Sequence, residues 1–256
     1  LELAIEQILG WTASYLWVLV RVGAMLMVAP IFGSQSLPVR IRLLIALAVS
    51  LVITPMVPEI PPVDPLSIAG VTMIVQQILI GVAMGFILNL VISAFVVAGE
   101  SIAMSMGLGF AQTVDPQNGV SVPLISQFLT IVVTLLMVAL NVPAMIVKML
   151  ADSFIILPVS PVGLTAEDFR AIAWFGQQMY INAVLVALPV VTTLLMVNLA
   201  MGVITRAAPQ MNIFSVGFPA TLMIGFFLLF LAAPLWFPNV EQFVHQSFVL
   251  ITEILR

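Results

Sequence analysis

Cysteine is absent from the 256 residues, and histidine occurs once, at His245. The first absence excludes disulfides, thiolate metal sites and a cysteine nucleophile. The second excludes histidine-cluster metal sites and leaves little for histidine-based catalysis. Charge is scarce too: 7 Lys and Arg against 11 Asp and Glu, together 7% of the chain, where ordinary globular domains carry about a quarter. The net charge of −4 comes from few groups and does not suggest nucleic-acid binding. No P-loop, HExxH or GxSxG pattern occurs. Nothing therefore points to an enzyme, a metal or a bound cofactor. The opening LELAIEQ carries Glu2 and Glu6 where a secretory signal carries basic residues, so a cleavable signal is not expected.

What the chain has in abundance is apolar surface: 62% hydrophobic residues and a mean hydropathy of +1.26. A soluble fold could not hide that much, so a membrane or membrane-associated protein is expected. The first apolar block runs from Trp11 to Phe32 and is interrupted by Arg21, with Trp11, Tyr15 and Trp17 read as interfacial aromatics. The turn Gly33 to Pro38 follows, then a block from Ile41 to Pro58 and the proline-rich linker PEIPPVDP. No charge occurs from Leu66 to Gly99. That length suits one long tilted helix, a kinked one or two packed segments. Gly81 and Gly85 have the small-xxx-small spacing that lets helices approach closely.

The stretch Gly99 to Pro123, GESIAMSMGLGFAQTVDPQNGVSVP, separates two charge-free apolar blocks, Leu66 to Ala98 and Leu124 to Val147. A polar, glycine-rich segment in that position is either a solvated connection or the lining of a path. Beyond it, Val120 to Val147 is split by Asn141 and Pro143. Lys148, Asp152 and LPVSPVGLTAEDFR form a second break, with Thr165, Glu167 and Asp168 as a helix start. Ala171 to Thr205 contains Pro189; Arg206 to Asn212 is a third break. A last block, Ile213 to Phe237, precedes an amphipathic tail from Pro238 to Arg256. The expectation is an all-α protein of helical hairpins, with regions 1–160 and 161–256. The scattered Lys and Arg residues leave the orientation signal weak.

Several polar residues stand out against this background. Arg21 either faces a partner or pathway, or snorkels from a helix end. Gln76, Gln77, Asn89, Gln177, Gln178, Asn182 and Asn198 either line a polar path or bond between helices, in part to other subunits. Glu100 and Asp115 would need more intramembrane acids to make a proton relay, and helix-end placement is the plainer reading. Gly107 and Gly109 beside Phe110 fit a deformable constriction or an ordinary turn. A coupled transporter would place its site at helix breaks such as Pro143 and Pro189, but internal symmetry and coupling carboxylates are not visible in the sequence. A third reading is a scaffold that nucleates a helical filament.

Four segments carry a family resemblance: PVRIRLLIALAVS (Pro38 to Ser50), QQILIGVAMGF (Gln76 to Phe86), GESIAMSMGLGFAQTVDP (Gly99 to Pro116) and ALPVVTTLLMVNLAMGVITRAAPQMNIFSVGFP (Ala187 to Pro219). Together, in this order, they resemble the FliR family, the flagellar export-gate proteins of type III secretion, which have a close injectisome counterpart. The resemblance implies a FliP-like part (1–160) followed by a FliQ-like part (161–256). It implies a gate shared with several FliP and FliQ subunits, contacts to FlhB and more distantly to FlhA and rod proteins, and membrane lipid around it. The site would be the bacterial inner membrane at the flagellar basal body, with the gate largely on the periplasmic side. Unfolded flagellar substrates would pass through it, and its helical symmetry would template the rod.

Carried onto this chain, the family's pore plug is roughly Met106 to Val122. It comprises Met106, Gly107, Leu108, Gly109, Phe110, Ala111, Gln112, Thr113, Val114, Asp115, Pro116 and Gly119, with Phe110 as the obstructing side chain. Hydrophobic constrictions close pores by dewetting, which suits such a plug. Arg206, Gln76, Gln77, Asn198 and Arg21 are expected at assembly contacts. Arg206 is the only charge between Arg170 and Glu241, and it is expected to pair with a carboxylate of another subunit.

Overall fold

The computed structural model describes residues 2–34, 37–58, 63, 67–108, 124–207 and 217–256, with side chains described from residue 14 onward. The described residues are helical, with no strand among them. Among the described residues seven α-helices follow in order: α1 (Glu2–Val28), α2 (Val39–Ile53), α3 (Ile68–Ser105), α4 (Leu124–Ala139), α5 (Val142–Ile156), α6 (Ala166–Ala207) and α7 (Phe218–Ile254). A short 3-10 turn, Thr54–Met56, extends α2. Among the described residues four helices are long and apolar enough to cross a membrane, or up to five if α4 and α5 count as one bent span. This matches the expected all-helical membrane protein.

Helix boundaries follow local chemistry. α1 ends at Val28, two residues before Pro30, because a residue preceding proline is pushed out of the helical region. α6 begins as the Thr165 and Asp168 pair led one to expect: the Thr165 backbone N–H donates to Asp168 Oδ2 at 2.7 Å, and the Thr165 hydroxyl lies 2.8 Å from the same oxygen. The 38 residues of α3 form one helix, about 57 Å long at 1.5 Å per residue. It runs past Gly99 through Glu100 to Ser105. The non-helical part of the central stretch therefore starts seven residues later than the sequence suggested, at Met106.

Two further expectations are corrected. Pro238 does not separate a tail from the last apolar block, because α7 runs unbroken through Pro234 and Pro238. Likewise Pro189 lies inside α6 and does not break it. Asn141 does mark a break: it is left-handed at φ 57°, and α4 and α5 meet there at 63°.

The chain forms two compact units. The first comprises Leu1–Leu90, Val138–Gly176 and Val244–Arg256, and the second Val91–Met137 and Gln177–Phe243. Each draws residues from both sides of position 160, and α3, α6 and α7 contribute to both.

In the first unit Trp17, Val22, Met25 and Leu26 of α1 are buried, as are Met73, Ile80 and Met84 of α3 and Ile146, Leu150 and Phe154 of α5. Gly81 and Gly85 let α3 lie directly on α1. A Cβ at Gly81 would meet the Arg21 carbonyl oxygen, and one at Gly85 would lie 2.8 Å from that of Met25. Trp17 has no exposed surface, so it is a core residue and not an interfacial aromatic. Tyr15 does reach across to α2, its hydroxyl donating to the Leu47 carbonyl at 3.0 Å.

In the second unit Ile125, Leu129, Val133 and Met137 form the buried stripe of α4 at four-residue spacing. Gly99 gives α4 its close approach to α3, since a Cβ there would fall 2.6 Å from the Ser126 Cα. The outward face of α4 is apolar too, with Phe128, Ile131 and Leu135 exposed. A helix apolar all round is one that expects lipid or another chain on its outer side.

Candidate functional site

Arg21 is fully buried in the first unit. Its Nε donates to Gln77 Oε1 of α3 at 2.7 Å. One terminal nitrogen donates to the Ser153 carbonyl at 2.9 Å and to its hydroxyl at 3.2 Å, and the other donates to the Leu157 carbonyl at 3.0 Å. The guanidinium carbon stands 4.2 Å from the centroid of the Phe154 ring, within cation–π range. No carboxylate touches it among the described residues. The opposing charge is the C-terminal end of α5, the negative pole of its helix dipole, where the Ser153 carbonyl also accepts from the Leu157 N–H at 3.0 Å. Arg21 therefore has partners and does not snorkel, and it meets them inside the chain, as does Gln77, not on a subunit surface. Among the described residues Gln77 Nε2 and Gln76 Oε1 are buried without a protein partner.

At the end of α3, Met106 is completely buried. Its side chain lies against bare backbone at Gly225 of α7, where a Cβ would come within 2.7 Å of the Met106 Cε and Cγ. Thr221, also on α7, directs its hydroxyl to the Phe218 carbonyl at 2.9 Å and the Met106 carbonyl at 3.4 Å. Gly107 follows in the left-handed region at φ 82°, with the Phe218 ring 3.3 Å from where a Cβ would stand. A larger residue would be both strained and obstructed there. Thus α3 ends in a fixed seat on α7. Leu108 is half-buried. The other expected plug residues, Gly109, Phe110, Ala111, Gln112, Thr113, Val114, Asp115, Pro116 and Gly119, lie outside the described residues.

The remaining expected contacts are dispersed. Arg206 is exposed in the last turn of α6, where a cation complements the helix dipole. Asn198, exposed on the same helix, donates from Nδ2 to the Ser105 carbonyl of α3 at 3.2 Å. The second unit also holds an apolar groove of about 510 Å³ between α4 and α7, with Phe128, Ile131, Phe226, Phe230 and Trp236 in its walls. Phe128 and Trp236 meet edge-on there, centroids 6.4 Å apart.

Sequence reasoning singled out Arg21 and Gln77 but missed Ser153, Phe154 and Leu157, which complete the cluster. Two of those contacts are backbone carbonyls, which leave no trace in residue type. It also missed Thr221 and Gly225, whose part depends on which helix lies opposite.

A family profile described as "Bacterial export proteins, family 1" matches residues 12–247. The chain is 37% identical over 247 residues to the flagellar biosynthetic protein FliR of Pectobacterium carotovorum subsp. carotovorum, covering 96% of this chain and 94% of that one. It is 36% identical over 255 residues to FliR of Escherichia coli, covering 100% and 97%. A more distant relative is FliR of Bacillus subtilis, 27% identical over 246 residues. The chain belongs to the FliR family of bacterial export proteins. Every element described above falls at least partly within the matched range, and the Arg21 cluster and the Met106 seat lie inside it. The FliR relatives are named for flagellar biosynthesis, and none of those names is that of an enzyme.

Proposed function

We propose that this chain is a core, non-enzymatic subunit of the flagellar type III protein-export gate. With FliP-like and FliQ-like subunits it forms the pore for unfolded flagellar substrates, and it helps template helical rod assembly. The family match over residues 12–247 carries this reading. What the helices leave uncovered supports it. Only 22% of the apolar window of α6 and 28% of that of α7 is buried within the chain, against 61% for α3. Helices of 42 and 37 residues are also longer than a bilayer requires, since about 20 residues span the hydrocarbon core. Long, bare apolar helices suit burial against other subunits better than burial in lipid alone.

In this reading residues 1–160 are the FliP-like part. Residues 161–256 are the FliQ-like part, and their described portion holds the two long helices α6 and α7. Residues Met106 to Val122 plug the idle pore, with Phe110 as the obstruction. Arg206, at the exposed end of α6, pairs with a carboxylate of a neighbouring subunit, and Asn198 and Gln76 belong to the assembly surface. The gate sits at the basal body in the bacterial inner membrane, largely on its periplasmic side, with FlhB adjacent and FlhA and rod proteins farther off.

The bend between α4 and α5 would favour a coupled transporter, since transporters place ions at the ends of broken helices. From Leu124 to Ala151, the stretch that holds this bend, the chain carries no carboxylate to bind a coupling cation. Native mass spectrometry of the chain co-expressed with FliP-like and FliQ-like partners tests the proposal. A single copy in a larger hetero-oligomer is expected. A stable particle of this chain alone, indifferent to those partners, would overturn it in favour of the transporter.

A further inference from the structure

Arg21 sits among Val18, Val22, Met25 and Leu26, none of which has exposed surface. None of the acceptors its side chain uses belongs to α1 or α2. They lie 56, 132 and 136 positions farther along the chain. A desolvated charge is tolerated only when hydrogen bonds and opposing charge replace water. Without them an arginine drags its helix toward an aqueous interface. Gln77 supplies a single acceptor. The end of α5 supplies the rest: two carbonyls, the Ser153 hydroxyl, the Phe154 ring and the negative pole of a helix.

We propose that Arg21 makes the burial of α1 conditional on the end of α5: the first helix is drawn into the fold only when the Ser153 to Leu157 turn is in place to receive its charge. An apolar side chain at position 21 would let α1 bury without waiting for residues synthesised far behind it. The arginine thus delays closure of the first unit until α5 has arrived. That order keeps α1 from settling into lipid, or against another chain, while its own partners are still missing. Gly81 reinforces the dependence, because the backbone of Arg21 presses directly on α3 there, and the guanidinium and its helix move as one.

The chain's lack of cysteine makes a clean test available in the full-length protein. Val22→Cys introduces one thiol of similar size at a fully buried position beside Arg21. Reactivity toward a water-soluble maleimide in native membranes then reports whether α1 is buried. Ser153→Pro disturbs the end of α5 by removing a helical N–H. With Arg21 present, that change is expected to raise the labelling rate about tenfold or more, and Arg21→Met in the same background to restore it to within about twofold of the undisturbed chain. Equal labelling whichever residue occupies position 21 would overturn the proposal. So would unchanged protection in the Ser153→Pro chain that retains arginine. Loss of the Ser153→Pro chain from the membrane in both backgrounds would overturn it as well, because dependence on residue 21 is its content.

Discussion

Gly81 and Gly23 respond in opposite ways to the same substitution. Both are helical glycines, where alanine ordinarily gains about 0.5–1 kcal/mol by restricting the unfolded chain. At Gly23 nothing lies within 4 Å of a new Cβ, so Gly23→Ala is expected to raise the thermal midpoint of the chain purified with its FliP-like and FliQ-like partners. At Gly81 the new carbon runs into the Arg21 carbonyl and stands 2.9 Å from Ala24 Cβ. Backbone cannot step aside as a flexible side chain can. Gly81→Ala is therefore expected to cost about 1–3 kcal/mol as an overpacked core does, read as a lowered midpoint in the same melt. A stable Gly81→Ala chain would mean that α1 and α3 do not touch there. The small-xxx-small spacing was legible in the sequence. Which helix the bare face would meet was not, because the pattern names no partner.

Among the elements, the α4–α5 break turns on one residue. Asn141 adopts φ 57°, which glycine and asparagine accept and β-branched residues resist. Asn141→Gly is expected to be nearly neutral. Asn141→Val should lose about 1–2 kcal/mol, seen as a lower denaturation midpoint with helix content unchanged. Equal stability of the two variants would show that the bend does not rest on that residue. Prolines proved a poorer guide to breaks. α7 continues through Pro234 and Pro238, both exposed and one turn apart, so the missing hydrogen bonds fall on its open face. Close by, Asn239 donates from Nδ2 to the Leu235 carbonyl at 2.7 Å. The proline at 143 behaves differently because it stands in the first turn of α5, where its absent N–H has no intrahelical partner to lose. The sequence shows a proline in all three places, but whether it starts or merely loads a helix depends on the residues around it.

For the whole molecule the predictions concern what covers the apolar surface and what closes the pore. Deleting Gly107 to Gly119 removes the expected plug. Co-purification with FliP-like and FliQ-like partners is expected to survive while ion leak across the inner membrane rises, followed by a membrane-potential dye. Wild-type permeability in the deletion strain would remove the plug role. Arg206→Ala is expected to weaken co-purification and export, with Arg206→Lys retaining part of both. Normal assembly by the alanine variant would remove the intersubunit pair. The sequence by itself determined that the chain is helical and membrane-embedded, that catalysis by cysteine or histidine clusters is excluded, and which family it belongs to. Those properties follow from composition, from runs of apolar residues and from motif order, all local in the chain. Only the tertiary structure decided that Arg21 is an interior residue served by carbonyls of α5, that Trp17 is core, and that Met106 rests on Gly225. Such contacts join residues more than a hundred positions apart through backbone atoms and missing side chains, and neither has a signature in residue type.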